Sequence, residues 1–279
     1  MKNLREVVTL VVLSTDSFED CWDPFFTLLD THWPDCDLPI VLATETKDYS
    51  HPELDVRCTR VLQTQGSWPT WTESLLYCLD RIETNLVITI LDDCFINGAI
   101  DYDFLGRLIL NMRDKDDCNV TLTEHGIHRP ASPTDNPDLL IVDAGAKYRL
   151  TTSPALWSVQ ALRSYTHRPE NAWQFEVFGS WRARRRTDSF YIANPAQLST
   201  GREGVIPYFQ AKNDTGIVQG RWQLGIPQLF EQHGIKVDYS ERGFIDPESE
   251  RGGASRLRTM RKLLANPRKC LLGGSISSR

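Results

Sequence analysis

Two short apolar runs constrain the fold of this chain more than any other feature of its sequence. Residues 7–13 (VVTLVVL) and residues 86–91 (LVITIL) are rich in β-branched side chains, and polar residues follow each run directly. Such runs are typical of strands that are buried on both faces, as in parallel sheets. Between them, apolar side chains recur at helical spacing from Phe18 to Leu29 and from Trp71 to Ile82. The first third of the chain therefore predicts alternating strands and helices.

This alternation predicts an α/β protein with an open, mostly parallel, Rossmann-like sheet and helices on both faces, because crossovers between parallel strands are right-handed. Weaker patterns at residues 39–43 and 56–62 predict two more strands. Beyond residue 115 the alternation loosens. There we predict a strand at 147–151 and a helix at about 155–165.

The C-terminal tail differs in charge from the rest of the chain. Residues 251–279 contain eight basic residues and no acidic one, and because the whole chain has a net charge of -6, residues 1–250 carry -14. Leu257, Met260 and Leu264 fall on one stripe among arginines, which predicts a basic amphipathic helix. Anionic lipid headgroups, nucleic acid and the acidic remainder of the chain are all suitable partners for such a helix.

Cysteine usage and hydropathy bear on location. Seven cysteines are scattered along the chain, and none of their spacings matches a zinc site or a CxxC motif. This usage predicts a reducing, cytoplasmic location. No segment approaches the length of a membrane span, and Met1 leads directly into the first strand pattern. We therefore expect a cytoplasmic protein that is soluble, or peripheral at the inner membrane face.

An acidic pair, Asp92 and Asp93, follows the run 86–91 directly. Ligands of open α/β sheets bind at the carboxyl ends of the strands, where Asp16 and Glu45 also fall after their predicted strands. Burying carboxylates is costly unless they meet a cation, so Mg²⁺ or Mn²⁺ is one explanation of the pair, and an Asx turn or helix cap is the other. Because neighbouring residues of an extended segment point to opposite faces, we expect Asp93 to hold metal and Asp92 to contact sugar or ribose.

A second acidic motif, Asp101-Tyr-Asp103, opens a helical pattern in which Phe104, Leu108 and Met112 share one face. A carboxylate at the start of a helix accepts hydrogen bonds from the first free N–H groups. We therefore predict a helix cap there rather than a metal site.

Several short motifs follow one another in a specific order along the chain. They are Leu13-Ser-Thr-Asp16 with Trp22-Asp-Pro-Phe-Phe26, Trp33-Pro34, Trp71-Thr-Glu73 with Leu75-Leu76, Leu91-Asp-Asp-Cys-Phe95, Pro154-Ala-Leu-Trp157, and Ala172-Trp-Gln-Phe-Glu176 followed by Gly179-Ser180. In this order they resemble the glycosyltransferases of GT-A fold, in particular bacterial surface-polysaccharide enzymes of the same size. The resemblance covers most of the chain.

The resemblance implies a glycosyltransferase that moves a sugar from a nucleotide-sugar donor to an acceptor hydroxyl on a glycan or lipid-linked glycan. Residues 1–115 would bind the donor, residues 116–250 would form the acceptor side of the same domain, and residues 251–279 would remain a basic tail. Asp16 would lie near the base of the nucleotide, and the acidic pair near the sugar and diphosphate. The third position of the family's DxD motif is Cys94 here, so a metal-free variant stays open.

Glu176 is the catalytic base that the resemblance implies. Similar enzymes that invert the anomeric centre place a carboxylate on the acceptor side, where it removes the proton from the attacking hydroxyl. Trp173 and Phe175 flank Glu176 and would raise its pKa toward neutrality. A surface glutamate between two anchoring aromatic residues is the alternative.

Aromatic and basic residues supply further donor-site candidates. Tryptophan rings stack on sugars and bases, so Trp71, Trp157 and Trp173 are candidates, with burial in the core as the alternative. Lys212 and Arg221 lie in a stretch with two glycines that would close over the leaving diphosphate.

Other functions remain open. A nucleotidyltransferase would share the sheet and the acidic edge, but the segment after the first strand, residues 13–16, lacks the glycine-rich basic loop of that class. A non-catalytic sugar-binding or DNA-binding module would use the basic tail. A glycosyltransferase that acts on modified DNA would combine both features.

Overall fold

The computed structural model describes residues 4–115, 117–124, 129–199, 204–211 and 215–246. The predicted basic helix of residues 251–279 lies outside these described residues, as does Lys212.

The described residues form eleven strands and six α-helices. The strands are β1 (Val8–Leu13), β2 (Ile40–Leu42), β3 (Val56–Cys58), β4 (Leu86–Leu91), β5 (Asn119–Thr121), β6 (Ala131–Pro133), β7 (Leu139–Val142), β8 (Ala155–Ser158), β9 (Phe190–Ala193), β10 (Ile217–Val218) and β11 (Arg221–Trp222). The helices are α1 (Glu19–His32), α2 (Trp71–Leu79), α3 (Tyr102–Lys115), α4 (Val159–Tyr165), α5 (Ala172–Ala183) and α6 (Ile226–Gln232).

Nine of these strands form one sheet in the order β3-β2-β1-β4-β8-β5-β9-β7-β6. Strands β1 to β4 are mutually parallel where they pair, and β8 lies antiparallel between β4 and β5. When the pairings are followed across the sheet, seven strands point one way, and β7 and β8 point the other. The predicted mostly parallel α/β sheet is confirmed. Strands on both sides of residue 115 belong to it, so the two proposed parts share one sheet.

Helices cover both faces of the sheet. One apolar cluster joins one face of β1 and β4 to α1, α3 and α6, with Phe25, Phe104 and Phe230 fully buried. A second cluster joins the opposite face to α2, α4 and α5 through Leu75, Tyr165 and other buried side chains. All six residues of β1 are buried. Burial on both faces is therefore the reason that this strand has no polar alternation.

Three local predictions need correction. No strand forms at 147–151, because Tyr148 has a left-handed φ of 52° that interrupts an extended chain. The segment 155–165 was predicted to be one helix, but its first four residues form strand β8, which pairs with β4 on one side and β5 on the other. The helix begins only at Val159. The predicted strand at 56–62 ends at Cys58, since Arg60 has a φ of 44°.

The prediction for the second acidic motif is confirmed. The Oδ1 atom of Asp101 accepts a hydrogen bond from the N–H of Phe104 at 3.1 Å, and its Oδ2 atom accepts from the N–H and the hydroxyl of Ser199, each at 2.7 Å. These contacts occupy both carboxylate oxygens. Asp101 is therefore a helix cap that also holds the segment near Ser199.

Candidate functional site at the carboxyl edge of the sheet

Strand register brings the acidic residues to one edge of the sheet. Leu13 pairs with Leu91, so β1 and β4 end side by side. Strand β2 runs parallel to β1 and ends at Leu42, opposite Val12. The segments that follow these three strands carry Asp16, Glu45 and the acidic pair, and they leave the sheet at the same edge. This edge is where open α/β sheets bind ligands.

The acidic pair is buried at this edge. Asp92 is 5% exposed and Asp93 is 7% exposed. The hydroxyl of Ser14 donates to the carboxylate of Asp92 and itself accepts from the Trp22 indole at 2.6 Å. Burial raises the pKa of Asp92, and the charge of Asp93 raises it further. These contacts hold Asp92 in place through Ser14, which directly follows β1, and Trp22 of α1.

Asp93 keeps one carboxylate oxygen without a partner. Its Oδ2 atom accepts from the Thr215 hydroxyl at 2.6 Å, whereas Oδ1 is buried and no described donor reaches it in bonding geometry. Burial raises the pKa of Asp93, and the Thr215 hydroxyl offsets part of that shift. An unpartnered buried carboxylate oxygen is costly, and a bound cation or proton removes the cost.

A late segment of the chain packs onto the acidic pair. The N–H of Gly216 donates to the carbonyl of Asp93 at 3.0 Å, and the N–H of Gln223 donates to the carbonyl of Gly216 at 2.9 Å. A Cβ atom on Gly216 would lie 2.3 Å from the Phe95 ring, so this close approach requires glycine. The same segment carries Arg221 in β11. Tertiary contacts therefore place this candidate next to the acidic edge.

A polar cleft of about 740 Å³ opens beside this edge. It is lined by acidic and basic side chains that include Asp16, Lys47, Arg221 and Arg242. Arg242 is held there by a hydrogen bond from its Nε atom to Asp20 Oδ2 at 2.6 Å. The cleft therefore brings together Asp16 and Arg221, two of the residues that the sequence analysis predicted to bind the donor.

Asp16 and Glu45 hold each other's backbone. The carboxylate of Asp16 accepts from the N–H of Glu45 and the N–H of Thr46, each at 2.8 Å, and from the Thr46 hydroxyl at 2.6 Å. In return, Glu45 Oε2 accepts from the N–H of Asp16 at 2.5 Å. These bonds join the segments after β1 and β2. Contact of either carboxylate with a donor stays a prediction.

We expect Asp16→Asn to lower stability in a pH-dependent manner. Burial by itself raises the pKa of Asp16, but hydrogen bonds from the Thr46 hydroxyl and from the N–H groups of Glu45, Thr46 and Lys47 outweigh burial, so its pKa is lowered. A carboxylate with a lowered pKa stabilises the fold at neutral pH, and this contribution disappears as the pH falls through the folded pKa. Thermal unfolding should show a deficit of about 1–3 kcal/mol near pH 7.

The deficit of Asp16→Asn should begin to shrink below about pH 4, the ordinary pKa range of an aspartate in the unfolded chain, and should disappear as the pH falls through the lower pKa of the folded protein. Asp135→Asn, at an exposed position, is the control and should match wild type throughout. A deficit that stays constant down to acidic pH would contradict a charge-based role.

Glu176 lies in the second turn of α5. Its Oε1 atom accepts from the N–H of Thr152 at 2.7 Å, from the Thr152 hydroxyl at 2.9 Å and from the Thr151 hydroxyl at 3.4 Å. Within the described part of the chain, all hydrogen bonds to Glu176 go to Oε1. The carboxylate is therefore fixed through one oxygen, and Oε2 stays available to a ligand.

The pKa of Glu176 is raised by burial, and the hydrogen bonds from Thr152 and Thr151 oppose this shift. The sequence analysis attributed such a shift to the adjacent aromatic residues, and that attribution stays a prediction. Phe175 packs against Trp71 with ring centroids 5.2 Å apart, and the ring centroid of Trp173 lies 6.4 Å from that of Phe178. Glu176 also lines a cavity.

This cavity, the Glu176 cavity, has a volume of about 110 Å³. Its walls carry Glu176, Thr151, Thr152, Ser153, Glu124, Arg129, Tyr148 and Tyr208, and they continue to Leu91, Cys94 and Thr215. Leu91 and Cys94 flank the acidic pair in sequence, and Thr215 donates to Asp93. The cavity therefore links the candidate base to the acidic edge.

The three tryptophan candidates occupy different positions. Trp157 is 1% exposed and packs against Tyr165 and Phe190, with ring centroids 6.5 and 5.8 Å apart. A buried ring has no face to offer a sugar, so Trp157 is a core residue, the alternative that the sequence left open. Trp71 and Trp173 are half-buried on α2 and α5. Neither is among the described residues that line the cavity or the polar cleft.

Sequence patterns did not single out several residues of this site. Ser14 and Thr215 contact the acidic pair, and Arg129, Thr151 and Thr152 surround Glu176. Ser14 and Thr215 lie in segments in which the sequence analysis identified other residues, Asp16 in the first segment and Lys212 and Arg221 in the second. Arg129 and the two threonines belong to no motif, and only tertiary contacts reveal them.

Two properties of the described residues concern membranes and metal ions. No described helix has the length and apolar character needed to span a membrane. Likewise, the described part contains no group of three or more His, Cys, Asp or Glu side chains arranged to hold a metal ion. Among the described residues, a divalent cation at the acidic pair would therefore have at most two His, Cys, Asp or Glu ligands.

The fold and the site together define a class: a Rossmann-like α/β protein with a buried acidic pair at the carboxyl edge and a polar cleft beside it. No protein-family model matches the sequence, and no curated protein sequence matches it. Several solved structures are similar to part of this chain.

Bifunctional IspDF from Campylobacter jejuni matches 71% of this chain with 13% identity and a TM-score of 0.39. S. aureus TarS 1–349 matches 68% with 12% identity and a TM-score of 0.43. The matched parts span 51% and 60% of those two chains. A CMP:2-keto-3-deoxy-manno-octonic acid synthetase in complex with CTP matches 67% with 12% identity and a TM-score of 0.38. At these values the similarities assign neither a family nor an activity to this chain.

Proposed function

We propose that this chain is a glycosyltransferase, which moves a sugar from a nucleotide-sugar donor to an acceptor hydroxyl with inversion at the anomeric carbon. One observation carries the proposal. Glu176, a partly buried carboxylate with a raised pKa, lines a cavity whose wall also carries Leu91 and Cys94, the sequence neighbours of the buried acidic pair, and Thr215, whose hydroxyl donates to Asp93. A general base and an anionic edge for a cation-bound diphosphate are the two groups that this chemistry requires.

In this proposal Glu176 acts as the base. Its Oε1 atom stays bonded to Thr152 and Thr151, and its Oε2 atom accepts the proton of the acceptor hydroxyl. The acceptor oxygen forms a bond to the anomeric carbon while the bond from that carbon to the diphosphate oxygen breaks. Attack opposite to the leaving group inverts the anomeric centre. The products are the glycosylated acceptor and a nucleoside diphosphate.

The polar cleft is the proposed nucleotide site. Its volume of about 740 Å³ lies within the usual range for small-molecule sites. Asp16 lines the cleft on the sheet side, and Arg221 and Arg242 line it from the late segment. The guanidinium of Arg221 is exposed and suits a phosphate oxygen. Lys212 is proposed for the same anion, although it lies outside the described residues.

Asp93 fits a divalent cation, because its Oδ1 atom is buried and has no hydrogen-bond partner among the described residues. Asp93 would hold Mg²⁺ or Mn²⁺ directly. Bound there, the ion would neutralise charge on the departing diphosphate. Asp92 is fixed by Ser14 and is proposed to contact the sugar or ribose.

The acceptor is proposed to be a glycan or a lipid-linked glycan. Residues 251–279 would bring the protein to an anionic membrane surface or to nucleic acid. Both contacts are proposals, since these residues lie outside the described part of the chain.

A screen of sugar nucleotides for donor hydrolysis tests the proposed function. Full-length protein is incubated with UDP-, GDP-, TDP-, CMP- and ADP-sugars, with Mn²⁺ or with a chelator, and release of the nucleotide is measured. We expect one base and sugar to be hydrolysed above background, with Mn²⁺ increasing the rate. Absence of both binding and hydrolysis for every donor would exclude the proposal. Release of pyrophosphate from a nucleoside triphosphate would identify a nucleotidyltransferase instead.

A further inference from the structure

Arg129 is a buried cation in the wall of the Glu176 cavity. Its side chain is 3% exposed, and its Nε atom donates to Glu124 Oε1 at 2.9 Å. Its Nη1 atom donates to the carbonyl of Arg149 at 3.2 Å. The remaining nitrogen, Nη2, is buried and has no hydrogen-bond partner among the described residues. Two nitrogens thus anchor the guanidinium, and the third is left for another group.

An unpartnered donor of this kind is costly. A buried N–H group without an acceptor costs about 1–3 kcal/mol, and more when the group is charged. Burial also lowers the pKa of Arg129, and the charge of Glu124 opposes this shift. A ligand oxygen that accepts from Nη2 would remove the cost. Because Arg129 and Glu176 line the same cavity, such a ligand would lie next to the proposed base.

The charges around the cavity restrict that ligand. Glu124 neutralises Arg129 by a direct ion pair, and Glu176 must be anionic to act as a base. The charged side chains among the described residues of the cavity wall, Glu124, Arg129 and Glu176, therefore sum to one negative charge. A phosphate or carboxylate on the acceptor would add a second negative charge in a partly desolvated space, which is unfavourable. A neutral oxygen, such as a hydroxyl, is compatible.

The remaining walls suit a sugar ring. Tyr148 and Tyr208 line the cavity, and aromatic side chains offer an apolar surface together with a polar hydroxyl. Tyr148 is held at a φ of 52°, a conformation that is uncommon for a bulky side chain. A volume of about 110 Å³ holds only a few water-sized groups. The cavity therefore fits one edge of a sugar ring rather than a whole glycan.

From these observations we infer that Arg129 is a specificity-determining residue for the acceptor, and that the acceptor is a neutral polyol with two adjacent hydroxyl groups. One hydroxyl donates to Glu176 Oε2 and reacts, while its neighbour accepts a hydrogen bond from Arg129 Nη2. This inference rests on the proposed glycosyl transfer. It adds the chemical class of the acceptor and the residue that selects it.

The test compares methyl glycosides of glucose, galactose and mannose with their monodeoxy derivatives as acceptors, using the donor found in the hydrolysis screen. For wild type, removal of the hydroxyl adjacent to the reacting one should lower kcat/KM by about 10- to 100-fold, the loss of one hydrogen bond to a charged group. Arg129→Lys keeps the charge beside Glu124 but removes Nη2. It should lower kcat/KM for the parent glycoside by a similar factor.

Arg129→Lys should no longer distinguish the parent from the deoxy acceptor, because both changes remove the same hydrogen bond. All activities of Arg57→Lys, an exposed arginine that is also ion-paired, should stay within about twofold of wild type. If thermal unfolding shows that Arg129→Lys is not folded, the inference is tested by comparing the parent and deoxy acceptors with the wild-type protein alone. Equal kcat/KM for the two acceptors in wild type would overturn the inference.

Two further outcomes would also overturn it. One is the absence of transfer to any methyl glycoside by a protein that hydrolyses a donor. The other is a preference for sugar phosphates that is lost in Arg129→Lys, which would identify an anionic acceptor. In each of these cases donor hydrolysis persists, so the proposed glycosyl transfer stands. Failure of the proposed function is distinguished by the absence of donor binding and hydrolysis.

Discussion

Transfer by Glu176→Gln is expected to fall by about 10²- to 10⁴-fold, the usual contribution of a general base. Glutamine has the same shape, and its amide oxygen still accepts from the N–H and hydroxyl of Thr152, which donate to Oε1 in wild type. The amide cannot take up a proton from the acceptor. Donor affinity, measured by calorimetry, should therefore stay unchanged while kcat for transfer collapses.

The pH profile separates a base from a structural glutamate. Burial raises the pKa of Glu176, and only the deprotonated form acts as a base, so wild-type kcat should fall as the pH drops through this raised pKa. The residual activity of Glu176→Gln should not show this fall at low pH. Glu231→Gln, the same change at an exposed position in α6, is the matched control and should retain full activity. Loss of donor binding together with the rate would indicate a structural role.

Replacing Asp93 by asparagine is the second change with a large expected effect. Both donor hydrolysis and transfer should fall by about 10²- to 10³-fold, the scale seen when one preorganised electrostatic group is removed from a site. The Thr215 hydroxyl, which donates to Asp93 Oδ2, can donate to the amide oxygen of asparagine. Because the substitution also removes a buried and partly unpartnered carboxylate, the thermal midpoint should be unchanged or higher.

Metal binding gives an independent readout for Asp93. If the carboxylate holds Mn²⁺, the ion together with nucleoside diphosphate should raise the thermal midpoint of wild type and not that of Asp93→Asn. Asp103→Asn, an exposed position in α3, makes the same chemical change outside the site and should behave as wild type. Full activity of Asp93→Asn would remove the acidic pair from the mechanism.

The strongest strand and helix patterns predicted their elements well. Strand β1 and strand β4 are buried on both faces, so all their residues except Thr9 and Thr89 are apolar, and the strands are recognisable in the sequence. Strand β8 was missed as a strand. Its four residues follow no clear period, and their extended conformation depends on pairing with β4 and β5 on either side. Those partners lie outside the sequence window that a local pattern samples.

The sequence likewise predicted part of the candidate site. The edge position of the acidic pair followed from the alternation of strands and helices, because parallel strands end at the same side of a sheet. The order of motifs nominated Glu176. The ion pair of Arg129 with Glu124 and the cavity that they share with Glu176 had no counterpart in any motif.

The sequence by itself determined the class of fold and the location of the acidic edge, because hydrophobic periodicity and strand ends are local properties of the chain. Tertiary structure alone decided which side chains meet there. Ser14 reaches Asp92 across 78 residues of sequence, and Thr215 reaches Asp93 across 122. Such contacts depend on how strands and late segments pack in space. Burial raises the pKa values of Asp92 and Asp93, and hydrogen bonds lower that of Asp16, so the chemistry of the edge is a property of the folded molecule.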